Sequence, residues 1–213
     1  LLRSHLRADL QRRRPDLVTE LHGRAAAWFA DRNQPVTALG HARQCGDPDR
    51  VGDLLRRSAL ALLASGQLRV VRDLLGWLRE HGRADDAWFA LLAVLVHPEV
   101  GEGPATQAHL ERAGELWPED PSPELVALRE RVRARIAAAD GNLDAMVAAT
   151  EASGSAEAAD PALAVMRQLE RATALALAAR REDALRLAQP AIDRARELGH
   201  GLLVAQGYTV MAL

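Results

Sequence analysis

Four arginines carry the clearest binding chemistry in this chain. Arg129 and Arg133 stand four residues apart, and Arg167 and Arg171 repeat that spacing further on. Residues four apart share one face of a helix. A guanidinium offers five N–H donors in a planar fork that matches carboxylate and phosphate oxygens. If the two helices stack, these side chains would line one groove for an anionic effector or an acidic segment of a partner protein. The competing reading is a solvated face whose arginines pair with Glu130, Glu170 and similar neighbours, the ordinary fate of charge on a helix.

No catalytic constellation stands beside them. The sequence lacks G-x-x-x-x-G-K-[ST], G-x-S-x-G, H-E-x-x-H and C-x-x-C. Its seven histidines, His5, His22, His41, His81, His97, His109 and His200, fall on different helices or turns, with no pair at ligand spacing in the sequence. Neither a metal nor a cofactor is expected, and no enzymatic activity of this chain alone. Cys45 is the single cysteine. It can form no internal disulfide and no Cys-rich zinc site, so it reads as a bystander thiol in a reducing, cytoplasmic compartment. Trp28-Phe29 and Trp88-Phe89 each sit in an Ala-Trp-Phe-Ala context. They would form either an aromatic wall for a ligand or core packing, and apolar spacing favours the core.

The elements that position these residues read as helices throughout. Ala, Leu and Val supply most of the 48% hydrophobic content, with only 3% aromatic residues and two isoleucines. Such a composition favours helix over sheet. Leu2, Leu6 and Leu10 mark a first helix ended by Pro15, with Asp16 placed to cap the second. Leu17, Leu21, Ala25, Trp28 and Phe29 would form the apolar face of that second helix. After a turn at Asn33–Pro35, a short helix closes at Gly46. Asp47 followed by Pro48 is a strong start signal. Further stops are expected at Gly66, Gly82, Gly141, Gly154 and Gly199, with one helix starting at Asp160 and a kink at Pro190. No segment alternates with period two.

A repeat underlies the second half. Pro123–Arg129 matches Pro161–Arg167, and Leu143–Met146 matches the segment from Glu182 to Leu185, at offsets of about 38 residues. Helix pairs at this interval indicate degenerate tetratricopeptide-like repeats. The expected fold is all-α, an α-solenoid of antiparallel helix pairs in a right-handed superhelix. Residues 1–47 would form a helical adaptor and residues 48–213 the repeats, their apolar faces buried only by stacking.

Glu20–Asp47 resembles the segment that joins the ATPase module to the helical sensor region in MalT-type bacterial regulators, members of the LuxR family with a STAND-class ATPase. The resemblance rests on Leu21, His22, Ala25, Ala26, Trp28 and Phe29, then Ala38, Leu39, His41, Ala42, Gly46 and Asp47. Leu1–Arg7 resembles the end of that family's winged-helix element. Asn33 stands where the family has a turn glycine, a mild departure because Asn tolerates the left-handed conformation. The motif detail covers about Leu1 to Leu55. It implies a sensor arm that binds an effector or partner protein and thereby controls an attached ATPase and DNA-binding domain. The sequence begins at Leu1 and stops within an apolar helical pattern at Leu213, as expected of a piece of a longer protein. A Walker A loop and a helix-turn-helix are not in it, so ATP hydrolysis and DNA binding are not expected of this chain.

A net charge of −2 leaves no basic excess for nucleic acid, and no apolar run is long enough for a membrane span. Self-association in a parent protein is compatible with this reading. The other reading is a general tetratricopeptide interaction scaffold of a signalling protein.

Overall fold

The computed structural model describes residues 2–97, 103–152 and 161–213. The stop expected at Gly154 and the start expected at Asp160 lie outside them. The fold is all-helical and solenoid-like. Its helices are α1 (Leu2–Arg13), α2 (Pro15–Ala30), α3 (Pro35–Cys45), α4 (Pro48–Ala64), α5 (Leu68–Glu80), α6 (Ala87–Val96), α7 (Pro104–Glu115), α8 (Pro123–Ala139), α9 (Leu143–Ala152), α10 (Pro161–Leu177), α11 (Arg181–Glu197) and α12 (Gly201–Ala212).

Backbone chemistry sets the boundaries. Gly46, Gly66, Gly82, Gly141 and Gly199 all adopt the left-handed conformation just past a helix end, where a residue without Cβ costs least. Asn33 takes the same conformation, as its short polar side chain allows. Asp47 caps α4, its carboxylate accepting from the Arg50 amide at 3.1 Å. Asp16 does not cap α2. Pro15 is already helical, Arg14 holds the N-cap position, and Asp16 lies in the first turn, where its charge meets the positive end of the helix dipole. α11 runs from Arg181 to Glu197 through Pro190.

The repeat is visible in the helix lengths: α8 and α10 both start on proline and both span 17 residues. Neighbouring helices pack in hairpins, α2 on α3, α8 on α9 and α10 on α11. α6 is apolar on every side and every one of its residues is buried, as a helix without a polar face must be. Around it one core runs from Ala26 and Leu39 through Val51 and Leu55 to Leu128 and Val132. Helices α2 and α3 therefore share one hydrophobic cluster with α4, α5, α6, α7 and α8, while α9 to α12 pack in smaller clusters.

The buried face of α2 differs from the one its largest side chains suggest. Val18, Gly23 and Ala26 are buried, while Leu21 and Trp28 stay 43% and 49% exposed. At Gly23 the Arg50 guanidinium crosses the helix: it donates to the Gly23 carbonyl at 2.8 Å, and a Cβ there would stand 2.8 Å from it.

The array also departs from an open solenoid, in which each repeat touches only its neighbours. α4 packs against α10. Ala64 shares a core cluster with Met166, Leu169 and Leu203. A Cβ on Gly66 would lie 3.2 Å from Leu202 of α12. The early and late helices thus meet.

Candidate ligand cavity

That meeting encloses a cavity of about 320 Å³. α8 contributes Arg131 and Arg135, four residues and about one turn apart on one face. α10 contributes Met166, Glu170 and Thr173, and α9 contributes Met146 and Thr150. Ala64, Leu68, Leu95 and Leu202 from α4, α5, α6 and α12 make the apolar side. Leu68 and Leu202 are each more than two-fifths exposed, and Gln206 of α12 stands among them as a polar lining residue.

The charges within are unequally matched. Arg131 donates to Oε1 of Glu170 at 2.5 Å and to the Met166 sulfur at 2.9 Å. Glu170 is surrounded by protein on nearly every side, and its remaining 28% side-chain accessibility is that of a group lining a cavity. Burial lifts its carboxyl above the ordinary range, opposed by Arg131, Arg135 and Arg167. Arg135 forms no hydrogen bond or ion pair among the described residues. Desolvation, then the neighbouring Arg131 charge, lower its affinity for its own proton, while Glu170 partly compensates. The cavity therefore holds one neutralised guanidinium and one that is not. Thr150 and Thr173 spend their hydroxyl protons on the Val147 and Leu169 carbonyls, both at 2.8 Å.

The four arginines singled out by spacing lie elsewhere. Arg129 covers the Trp117 ring at 4.7 Å and donates to Glu130 at 3.0 Å. Arg133 donates to the same carboxylate at 3.3 Å and faces the groove between α8 and α9. Arg171 donates to Glu151 at 3.3 Å. Arg167 stands close enough to Glu170 to favour its ionised form. None of the four lines the cavity, and Arg133 alone lines the groove between α8 and α9.

Arg131, Arg135 and Glu170 line the cavity, and for Arg131 and Glu170 the repeat contains a signal. An offset of 38 sets Glu170 opposite Val132 and Arg131 opposite Leu169, both fully buried. A charge at a position that is core in the sister repeat marks a polar interior.

The histidines and aromatics also resolve. His22 and His41 meet across α2 and α3 with their Nδ1 atoms 2.8 Å apart, although nothing in their spacing pairs them. Phe29 stacks on His41. Among the described residues no group of three or more His, Cys, Asp or Glu side chains is placed to hold a metal. Trp88 and Phe89 are buried in the core. Trp28 instead lies outside it, with the Arg32 guanidinium 3.7 Å above its ring. No described helix is long and apolar enough to cross a membrane.

Comparison of the chain with protein-family models, with curated proteins and with solved structures finds no match.

Proposed function

We propose that this chain is a non-catalytic regulatory region that binds an effector in the cavity between its early and late helices. The observation that carries the reading is the composition of that wall. Helices from α4 to α12 contribute to it, so one occupant touches both ends of the array and biases how they sit together. A ligand shifts an equilibrium only through such differential contacts. The resemblance of Glu20–Asp47 to MalT-type regulators supports placing this region in the cytoplasm, as the sensor arm of a LuxR-family transcriptional regulator whose ATPase and DNA-binding domains lie outside it.

The test is a thermal-shift screen of metabolites against the native chain and an Ala138→Trp variant. Ala138 lines the cavity and is otherwise exposed, so the larger side chain occupies the cavity with little cost to the core. Ligands that raise the native melting temperature and leave the variant unmoved support the reading; equal shifts in both refute it.

A second reading, a tetratricopeptide scaffold for protein partners, draws on the groove between α8 and α9. This groove is lined by Glu130, Arg133 and Asp140 beside a row of alanines. It predicts capture of a peptide and no response to small metabolites.

A further inference from the structure

We infer that the cavity ligand is an amphiphile with one negative charge, a carboxylate carried on a short apolar chain, anchored by Arg135. This inference rests on the reading of the cavity as an effector site and gives that site its ligand chemistry.

Charge balance sets the head group. Of the two guanidiniums on the α8 face, Arg131 is matched by Glu170, at 2.5 Å. Arg135 has no hydrogen-bonded or ion-paired partner among the described residues. Arg135 is exposed to solvent yet lines the cavity with no counter-charge hydrogen-bonded to it, so it can take one anion there. A planar carboxylate meets the guanidinium fork with two parallel hydrogen bonds. A doubly charged phosphate would need a second cation, and Arg131 is committed to Glu170. A cationic ligand would leave Arg135 facing a like charge.

The walls set the rest of the molecule. Ala64, Leu68, Leu95 and Leu202 give the cavity an apolar side, to which α12 adds the polar Gln206. The volume of about 320 Å³ falls at the small end of ligand pockets, which run from roughly 300 to 1,000 Å³. The exposed Leu68 and Leu202 extend the apolar path to solvent, so a chain longer than the cavity has a way out. Glu170 adds discrimination: a second anionic group on the ligand would meet its carboxylate.

The experiment is isothermal titration of the chain with hexanoate, octanoate, octan-1-ol and octylamine, each below its aggregation limit, repeated with Arg135→Gln. Octanoate is expected to bind roughly fifteenfold more tightly than hexanoate, since each of its two additional methylenes contributes about fourfold. Octan-1-ol and octylamine are expected to bind at least tenfold more weakly than octanoate. Arg135→Gln should weaken octanoate at least tenfold and leave octan-1-ol unchanged, with an unaltered circular dichroism spectrum showing an intact fold. No binding of octanoate, equal binding of the alcohol, or indifference to Arg135→Gln overturns the inference. The regulatory reading fails separately: if octanoate binds through Arg135 but occupancy leaves the hydrogen exchange of α4 and α12 unchanged, the ligand chemistry stands and the coupling of the two ends does not.

Discussion

Arg131 reaches from α8 to place its guanidinium 2.5 Å from Oε1 of Glu170 on α10. The bond joins two equivalent helices of successive repeats at a level where their sister positions are apolar. A partly buried pair of this kind costs desolvation on both sides and contributes less to stability than its geometry suggests. Its value lies in holding the cavity wall polar on one side.

The first prediction concerns pH. The folded state raises the Glu170 pKa through burial, so in the window above the ordinary carboxylate value the native chain binds more protons than the unfolded one. Stability then falls as pH rises through that window and is flat below it. Glu170→Gln removes the titration. Urea unfolding from pH 4 to 8 should show the stability of the native chain relative to the variant declining with pH; a difference that grows with pH contradicts the assignment.

His109 predicts the opposite slope. Burial, then Arg79 and His97, depress its pKa, so the native state binds fewer protons than the unfolded state as pH falls below about 6.5, the ordinary histidine value. Its contribution to stability is present above that value and is lost as pH falls through the folded pKa. His109→Gln should flatten the loss of melting temperature between pH 7 and 5, and an unchanged profile would remove His109 as its source.

Glycines in helices separate packing from propensity. A Cβ on Gly207 would collide with Cγ1 of Ile192 and stand 3.3 Å from Leu169, and both neighbours are fully buried. Overpacking costs about 1–3 kcal/mol, more than the ~1 kcal/mol that alanine gains over glycine in a helix. Gly207→Ala is therefore expected to destabilise the chain. Gly76 in α5 has open space at its Cβ position, so Gly76→Ala should stabilise by up to ~1 kcal/mol. Chemical denaturation of the two variants checks both signs.

Arg171 pairs with Glu151 on accessible surface, where such a pair contributes at most about 1 kcal/mol, and the exposed Arg133 shares the buried Glu130 carboxylate with Arg129. Replacing Arg133 and Arg171 with alanine should leave octanoate affinity within twofold of the native value by titration. A tenfold loss would return the binding site to those arginines.

Much of the fold was legible because the relevant forces are local. Five stop glycines, the Asp47 cap and the prolines opening α8 and α10 act within a turn of where they stand, and each appears where the sequence puts it. The buried face of α2 was not legible, because the bulk of Leu21 and Trp28 says nothing about how closely α3 approaches. The cavity was less legible still. Arginines at 129, 131, 133 and 135 alternate along α8, so two four-residue spacings exist on different faces. Local spacing cannot say which face meets α10. That is decided by the packing of α4 and α12 on α10, which no neighbouring residue encodes.

The approach of Leu202 to Gly66 bears on how the chain folds. Helical hairpins close short loops and form early, whereas this contact must bring together segments separated by most of the sequence. The seam between α4 and α12 therefore carries a larger loop-closure cost than the hairpins on either side of it. An occupant of the proposed site beneath it would offset that cost and favour the closed chain without altering the hairpins.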